Sequence, residues 1–394
     1  MSGMSEASYS NHPSRPGSAG LVLSGGGARG AYQAGVVRAI AEIASDEGIA
    51  QPLPILTGVS AGAINAAYLA STADDFFTGT EKMAQMWSRI SAENVFRTDA
   101  LSAGRSGLAF ISDATIGALY RRKLARSLLD TTPLKRFIGK SINFAKISEN
   151  VAAGHLSALA VTAMNYTDAT SVTFVHSKTD TPLWTRSRRK AEQASIGTEH
   201  VMASAAIPMF FPPVRVNEHH YGDGCLRNSA PLSPAIHLGA NRLLVVSVRR
   251  HDQNAAPIDG AIEPSLARII GVILNALLLD AIEVDMERLS RINQTLDFVS
   301  VSQRSNLQLR KVDYLWIRPS QDIGALAGEL FDRLPRVIRY LVQGLGSSRE
   351  ASELTSYLLF DPDFCGQLVK MGYRDGHAQA DAIRTFLKGS SAGT

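Results

Sequence analysis

Cysteine is scarce: Cys225 and Cys365 are the only two in 394 residues. They lie far apart with no ligand-like neighbours, which argues against a disulfide framework and a cysteine metal site and suits a reducing interior. Long apolar runs are missing as well. The longest in a helical context, 269–279, is interrupted by Asn275 and stops at Asp280, well short of the roughly 20 residues a membrane-spanning helix needs. Residues 1–20 are polar, rich in Ser, Gly and Pro, and lack the apolar stretch of a signal peptide; a disordered leader is expected there. Charge of one sign does not dominate either, since 40 Lys and Arg stand against 36 Asp and Glu, a formal net charge of +4. Basic residues nevertheless cluster at Arg121-Arg122-Lys123, over 186–190, and at Arg249-Arg250. Such clusters suit anionic head groups or plain solvation. No zinc finger, RNA-recognition signature or basic stripe interleaved with aromatics accompanies them, so nucleic acid is not an expected partner. Apart from the leader there is no low-complexity tract, and no internal repeat.

What is present is a chain 45% hydrophobic and 19% charged, able to bury a large core as one big domain or two ordinary ones. Its organising stretch is Pro54-Ile55-Leu56-Thr57-Gly58-Val59-Ser60-Ala61-Gly62-Ala63-Ile64-Asn65. An apolar β-branched run ends in Gly-Val-Ser-Ala-Gly and passes into an alanine-rich helical segment, the strand-turn-helix context of a nucleophile elbow. Gly58 and Gly62 suit a turn so sharp that backbone lies against backbone. Ser60 at its tip would then be held at a helix N-terminus, where free amides favour developing negative charge. A small-residue turn without chemistry fits the same letters.

Upstream, Leu21-Val22-Leu23-Ser24 reads as a buried strand, followed by Gly25-Gly26-Gly27-Ala28-Arg29-Gly30 and a helix over 31–45. Gly25, Gly27 and Gly30 match the dinucleotide fingerprint. That motif also requires an acid at the end of the next strand, and Thr57-Gly58-Val59-Ser60 supplies none. The other reading is an anion nest whose amides serve an oxyanion formed during reaction. Arg29 would either brace this loop or add positive potential to it. An ordinary tight strand-to-helix connection remains a third possibility.

Helices are expected over 61–71, 81–90, 114–129, 132–139 and 192–206, with a flap over 97–111. Strands are expected over 156–165 and 171–176, joined by a turn at Tyr166-Thr167-Asp168, and over 241–247 and 313–318. A long helix is expected over 265–291, and helices over 324–387. The 203–213 segment, Ala-Ser-Ala-Ala-Ile-Pro-Met-Phe-Phe-Pro-Pro, ends a helix and sets adjacent aromatics on a proline-rigidified loop. It suits an acyl-binding cleft or a buried connection. Tyr221-Gly222-Asp223-Gly224-Cys225 places an acid between two glycines, by itself the signature of a turn.

Taken together and in this order, the 25–30 glycine loop, the Gly58-Val59-Ser60-Ala61-Gly62 elbow, the 203–213 segment and Asp223-Gly224 resemble the patatin-like phospholipase family. The resemblance spans about 21–238, and 358–387 looks like the C-terminal part of bacterial members. It implies a three-layer α/β/α sandwich with a mostly parallel central sheet. It divides the chain into a catalytic core at 21–238, a continuation of the sheet with a long helix at 239–320, and a helical region at 321–394. In that family the glycine loop supplies the oxyanion hole and a Ser–Asp dyad does the chemistry. Here that makes Ser60 the nucleophile, Asp223 its partner, and Gly25, Gly26, Gly27, Ala28 and Arg29 the oxyanion loop. The family's aspartate is usually followed by Gly and then Gly or Ala, whereas Cys225 stands third here, a thiol open to oxidation beside the base.

The resemblance implies no metal and no cofactor, a phospholipid or other acyl ester as substrate, and a cytoplasmic protein with peripheral membrane contact. Two rivals stand beside it. His237, His251 and His377 follow Asp223 in the order of a Ser-His-Asp hydrolase, though that fold normally builds several strands before its elbow, and His219-His220 lies close to Asp223 in sequence. The second rival is a non-catalytic lipid- or partner-binding protein on the same fold.

Overall fold

The computed structural model describes residues 18–97, 127–250, 263–300, 303, 307 and 309–389. Along the chain the strands are β1 (Ala19–Leu23), β2 (Ile55–Val59), β3 (Ala158–Asn165), β4 (Thr170–Ser177), β5 (Thr185–Arg186), β6 (Arg189–Gln193), β7 (Val214–Val216), β8 (His219–Asp223), β9 (Arg242–Val246) and β10 (Asp313–Ile317). They form one sheet in the order β10-β9-β1-β2-β3-β4-β6-β5, with β8 beside β3 and β7 beside β8. From β10 to β3 neighbouring strands are parallel; β4 runs antiparallel to β3, and β6 parallel to β4.

Side chains alternate across this sheet, as the two-residue period of a strand requires. Leu21, Leu23, Leu56, Leu244 and Val246 enter the larger core, shared with helix α1 (Gly30–Asp46), α2 (Ala61–Ser71) and α3 (Phe76–Ser88). Val22, Ile55, Leu243 and Val245 enter a second core on the opposite face, closed by Ile282, Met286 and Leu289 of the Asp280–Asp297 helix. Helices on both faces of a mostly parallel sheet make the three-layer α/β/α sandwich. The C-terminal Pro362–Ala378 helix packs along α1. β1 has β2 on one side and β9 on the other, so the chain winds outward from it in both directions. Ligands of such sheets bind at the carboxyl ends of the strands beside this reversal.

Several expectations are corrected. Residues 192–206 are not one helix: Arg189–Gln193 is strand β6, laddered to β4, and only Thr198–Ser204 is helical after the extended Gly197. The helix expected over 265–291 breaks at Leu279 (φ −121°, ψ −39°) into Leu266–Leu278 and Asp280–Asp297. The halves serve different partners, the first packing on the Ser352–Leu358 helix and the second sealing the lower sheet face. Tyr221, Gly222 and Asp223 do not make a turn. They end β8, because Tyr221 is buried and paired with Asn165 of β3. Helix α3 starts at Phe76 rather than 81, capped by Asp75, whose carboxylate accepts the Thr78 amide at 3.2 Å. The Phe144–Ala153 helix was not expected. Of the expected 114–129 helix only 127–129 is described, and there the Leu128 and Leu129 amides bond the carbonyls of Met209 and Phe210 at 2.9 Å. Most of the leader, the flap beyond Arg97, the Arg121-Arg122-Lys123 cluster and His251 lie outside the described residues.

Candidate active site

Ser60 follows the last residue of β2 and precedes α2, with φ 55° and ψ −127°. A β-carbon makes this backbone costly, and such outliers are kept where a side chain must be aimed. The turn closes only because its flanks are glycine. A β-carbon on Gly58 would lie 2.2 Å from the Gly62 carbonyl oxygen, and one on Gly62 would lie 2.3 Å from that of Leu23. The Ser60 amide donates to Ser204 Oγ at 3.0 Å, and that hydroxyl donates to the Thr162 carbonyl at 2.6 Å. The elbow is thus tied to β3 by a side chain from the Thr198–Ser204 helix.

Beside it, the chain leaves β1 through Gly25, Gly26 (φ 155°) and Gly27 (φ 57°) into a single 3-10 turn, Gly27–Arg29. These backbone angles favour glycine. The Arg29 amide is used within that turn, donating to the Gly26 carbonyl at 3.1 Å. The amides of Gly26, Gly27 and Ala28 have no hydrogen-bond acceptor among the described residues. The Arg29 guanidinium is buried and turned to the C-terminal region. It donates to Ser356 Oγ from Nε at 2.8 Å and from Nη2 at 2.5 Å, pairs with Glu353 at 2.5 Å, and lies over the Tyr357 ring at 4.4 Å. Of its two expected roles, bracing the loop is the one the geometry fits. Gln33 bonds the Ser24 carbonyl at 2.8 Å, Asn65 bonds Gln33 and the Gly30 carbonyl at 3.0 Å, and Trp87 bonds Asn65 at 2.6 Å. Helices α1, α2 and α3 are thereby locked under the loop.

Sheet register carries Asp223 to the same place. Val59 is paired with Thr162 of β3, and Asp223 is paired with the next residue, Ala163. Strand β8 therefore takes over the flank of β3 where β2 leaves it, and Asp223 arrives beside Ser60. The carboxyl is fully buried; its Oδ1 accepts the Cys225 amide at 2.9 Å, and its own amide donates to the Ala206 carbonyl at 2.9 Å. Oδ2 is buried with no partner in hydrogen-bond geometry. Burial raises this carboxyl to about 6, against smaller downward pulls from the Ser60 hydroxyl and from the Cys225 amide and thiol.

Burial also pushes the Cys225 thiol well above its ordinary range, and Asp223 adds to this. A buried, protonated thiol is a poor nucleophile, contrary to the expected susceptibility to oxidation. On its other side Ser60 opens on a narrow apolar crevice of about 20 Å³, lined among others by Gly27, Ile64, Trp87, Ile207, Phe211 and Phe360. Ile207 and Phe211 belong to the proline-rigidified segment, which thus lines a cleft as well as being buried.

Three contributors carry no motif. Ser204 is an ordinary helix-end serine in the sequence, and Glu353 with Ser356 lies more than three hundred residues from the loop it holds. Among the described residues no histidine hydrogen-bonds Ser60 or Asp223. His237 stacks on Trp184, His377 meets Glu42, and His219 contacts Thr167. No group of three metal-ligating side chains occurs among the described residues.

A strained serine elbow thus stands at the carboxyl end of the mostly parallel sheet of an α/β sandwich, beside a glycine loop. A family model described as Patatin-like phospholipase matches residues 21–236, more than half of the chain. The chain belongs to this family of lipid-degrading hydrolases. Among solved structures it is similar to VipD from Legionella pneumophila, at 15% identity over 91% of this chain and 67% of that one, with a TM-score of 0.32. It is also similar to the type III effector ExoU, at 17% identity over 87% of this chain and 53% of that one, with a TM-score of 0.32. A third similarity is to ExoU with SpcU from Pseudomonas aeruginosa, at 18% identity over 62% and 46%, TM-score 0.27. The chain thus spans about half the length of ExoU. A search of curated proteins found no match.

Proposed function

We propose that the chain is a serine lipid acyl hydrolase of the phospholipase A or lysophospholipase type, with residues 21–238 as its catalytic core. Ser60 is the nucleophile, Asp223 its proton partner, and the loop from Gly25 to Arg29 the source of oxyanion donors. The observation that carries this is the register of β3, whose consecutive residues Thr162 and Ala163 pair with Val59 and Asp223.

As Ser60 Oγ attacks the ester carbonyl, its proton passes to Asp223 Oδ2, the oxygen that has no other partner. The carbonyl oxygen gains the electron pair and is met by the free amides of Gly26, Gly27 and Ala28. Collapse expels the alcohol, which takes the proton from Asp223 and leaves an acyl-enzyme that water hydrolyses by the same relay. A carboxyl raised to about 6 is ionised at neutral pH and is a better base than an ordinary aspartate. The apolar lining by Trp87, Ile207 and Phe211 suits contact with an acyl chain, for which the narrow crevice of about 20 Å³ must widen. An alkoxide leaving group suits so modest an acid-base partner better than an amine does, so esters are the expected substrates. No step calls on a metal or cofactor.

The test compares ester hydrolysis and fluorophosphonate labelling of the parent chain with Ser60→Ala and Asp223→Asn, each checked for folding by circular dichroism. Both variants lose hydrolysis, and Ser60→Ala loses the label. Activity surviving either change overturns the assignment.

A further inference from the structure

A groove of about 430 Å³ has Cys225 in its lining and shares no lining residue with the crevice at Ser60. Its lining includes Arg188, Arg189 and Arg227, with Ser187 and Asn228 as further polar groups, and no carboxylate. Arg188 and Arg227 make no ion pair or side-chain hydrogen bond with any described residue. Arg188 stands in the two-residue loop between β5 and β6 with φ 58°, a place normally given to Gly or Asn. Beside the groove, the charges of Arg186, Arg189 and Arg310 add to burial in pushing His237 down to about 4, and Asp285 is the carboxylate within reach of Arg189.

The other wall belongs to the Leu266–Leu278 helix, through Ala276 and Leu277. That helix buries Ala267, Gly271, Leu274 and Leu278 and turns a second apolar face outward. Leu266 is 59% exposed, Ile269 42%, Val272 55% and Ile273 48%, and at 100° per residue Ala276 falls on the same face. Its only charged side chain is Arg268. A helix apolar on both faces, one of them exposed, is unusual in water and marks an interaction surface.

We infer that this face docks on an anionic bilayer, the arginine groove receiving a lipid phosphate while Ile269, Val272 and Ile273 rest among the acyl chains. Apolar area together with basic residues is the composition of an interfacial anchor. Its position joins it to the site, because Cys225 lines the groove and sits two residues from Asp223. The inference rests on the lipid-hydrolase reading and specifies the form in which substrate is met.

The test is flotation of the full chain carrying Ser60→Ala, with vesicles of phosphatidylcholine alone or mixed with phosphatidylglycerol. The mixed vesicles capture it and salt weakens the capture. Arg188→Glu with Arg227→Glu reduces binding about tenfold or more, by reversing two basic residues at a charged surface. Ile269→Asp with Ile273→Asp abolishes most of it, while melting temperatures confirm that both variants fold. Equal flotation of the variants and their parent overturns the inference. So does a melting temperature raised by inorganic phosphate without capture by either vesicle, which marks a pocket for free anions. Short-chain ester hydrolysis by the Ser60 chain separates the two ideas. Hydrolysis without flotation rejects the docking face, and flotation without hydrolysis rejects the enzymatic reading.

Discussion

Ser204 grips Ser60 by the backbone: its hydroxyl accepts the Ser60 amide at 3.0 Å while donating to the Thr162 carbonyl at 2.6 Å. All three residues are buried, so no water stands ready to replace the hydroxyl. In Ser204→Ala the Ser60 amide and the Thr162 carbonyl both lose this partner. Stability should fall by about 1–3 kcal/mol, the cost of a buried group left unsatisfied. The strained elbow should also relax, lowering kcat by about tenfold to a hundredfold with little change in KM. Denaturant melts and steady-state kinetics check both; an unchanged kcat would show that the elbow holds itself.

Asp223 should cost the protein stability at neutral pH. Its carboxyl is raised from 3.8 to about 6 in the fold, so the unfolded chain ionises it first. Below about pH 4 it is neutral in both states and carries no penalty. Between about 4 and 6 stability falls as pH rises, and above 6 the loss is complete, about 3 kcal/mol. Asp223→Asn should therefore be the more stable chain at pH 8, by up to that amount, though inactive. The advantage should vanish below pH 4. Paired thermal melts across this range decide it, and a variant less stable than its parent at pH 8 would contradict the sign.

In the proposed mechanism the same carboxyl should set the acid limb of the rate profile. As a base it must be ionised, so kcat/KM should rise with pH and level off above about 6. The Cys225 thiol helps to hold the carboxyl down, so Cys225→Ala should move this limb to higher pH while the plateau keeps most of its height. A limb that stays in place would reduce the thiol to filling space.

Much of this site was legible in the letters because its geometry is local. The Ser60 elbow needs Gly58 and Gly62 within two residues, and the glycine loop joins a strand directly to a helix. Continuous apolar runs, buried on both faces, gave away β1, β2, β3 and β9 for the same reason. Asp223 was harder: Asp-Gly reads as a turn, and its membership of β8 is decided by pairing with β3 nearly sixty residues earlier. Strand β6 hid inside a charged run, Arg-Lys-Ala-Glu-Gln, in which only Ala191 is buried. Nothing local marks Ser204 as the clamp on Ser60. The break at Leu279 is likewise a matter of two cores claiming two halves of one apolar pattern.

The C-terminal region holds the glycine loop through Arg29. Arg29 is 3% exposed and pairs with Glu353 at 2.5 Å, the Glu353 carboxyl being lowered by the guanidinium despite its own burial. Removing one partner of such a pair leaves the other charge stranded. Glu353→Gln should therefore cost about 3 kcal/mol, whereas replacing both ends by Arg29→Met with Glu353→Gln should cost less than the two single changes added together. The loop consequence is separable from stability. Because Gly27 packs its backbone against Tyr357, one turn beyond Glu353, loosening this contact should lower kcat even where the variant remains fully folded. A double-mutant cycle read by both denaturation and kcat tests the two effects together. Strict additivity in stability would mean that Arg29 and Glu353 act independently, and an unchanged kcat would free the loop from the C-terminal helix.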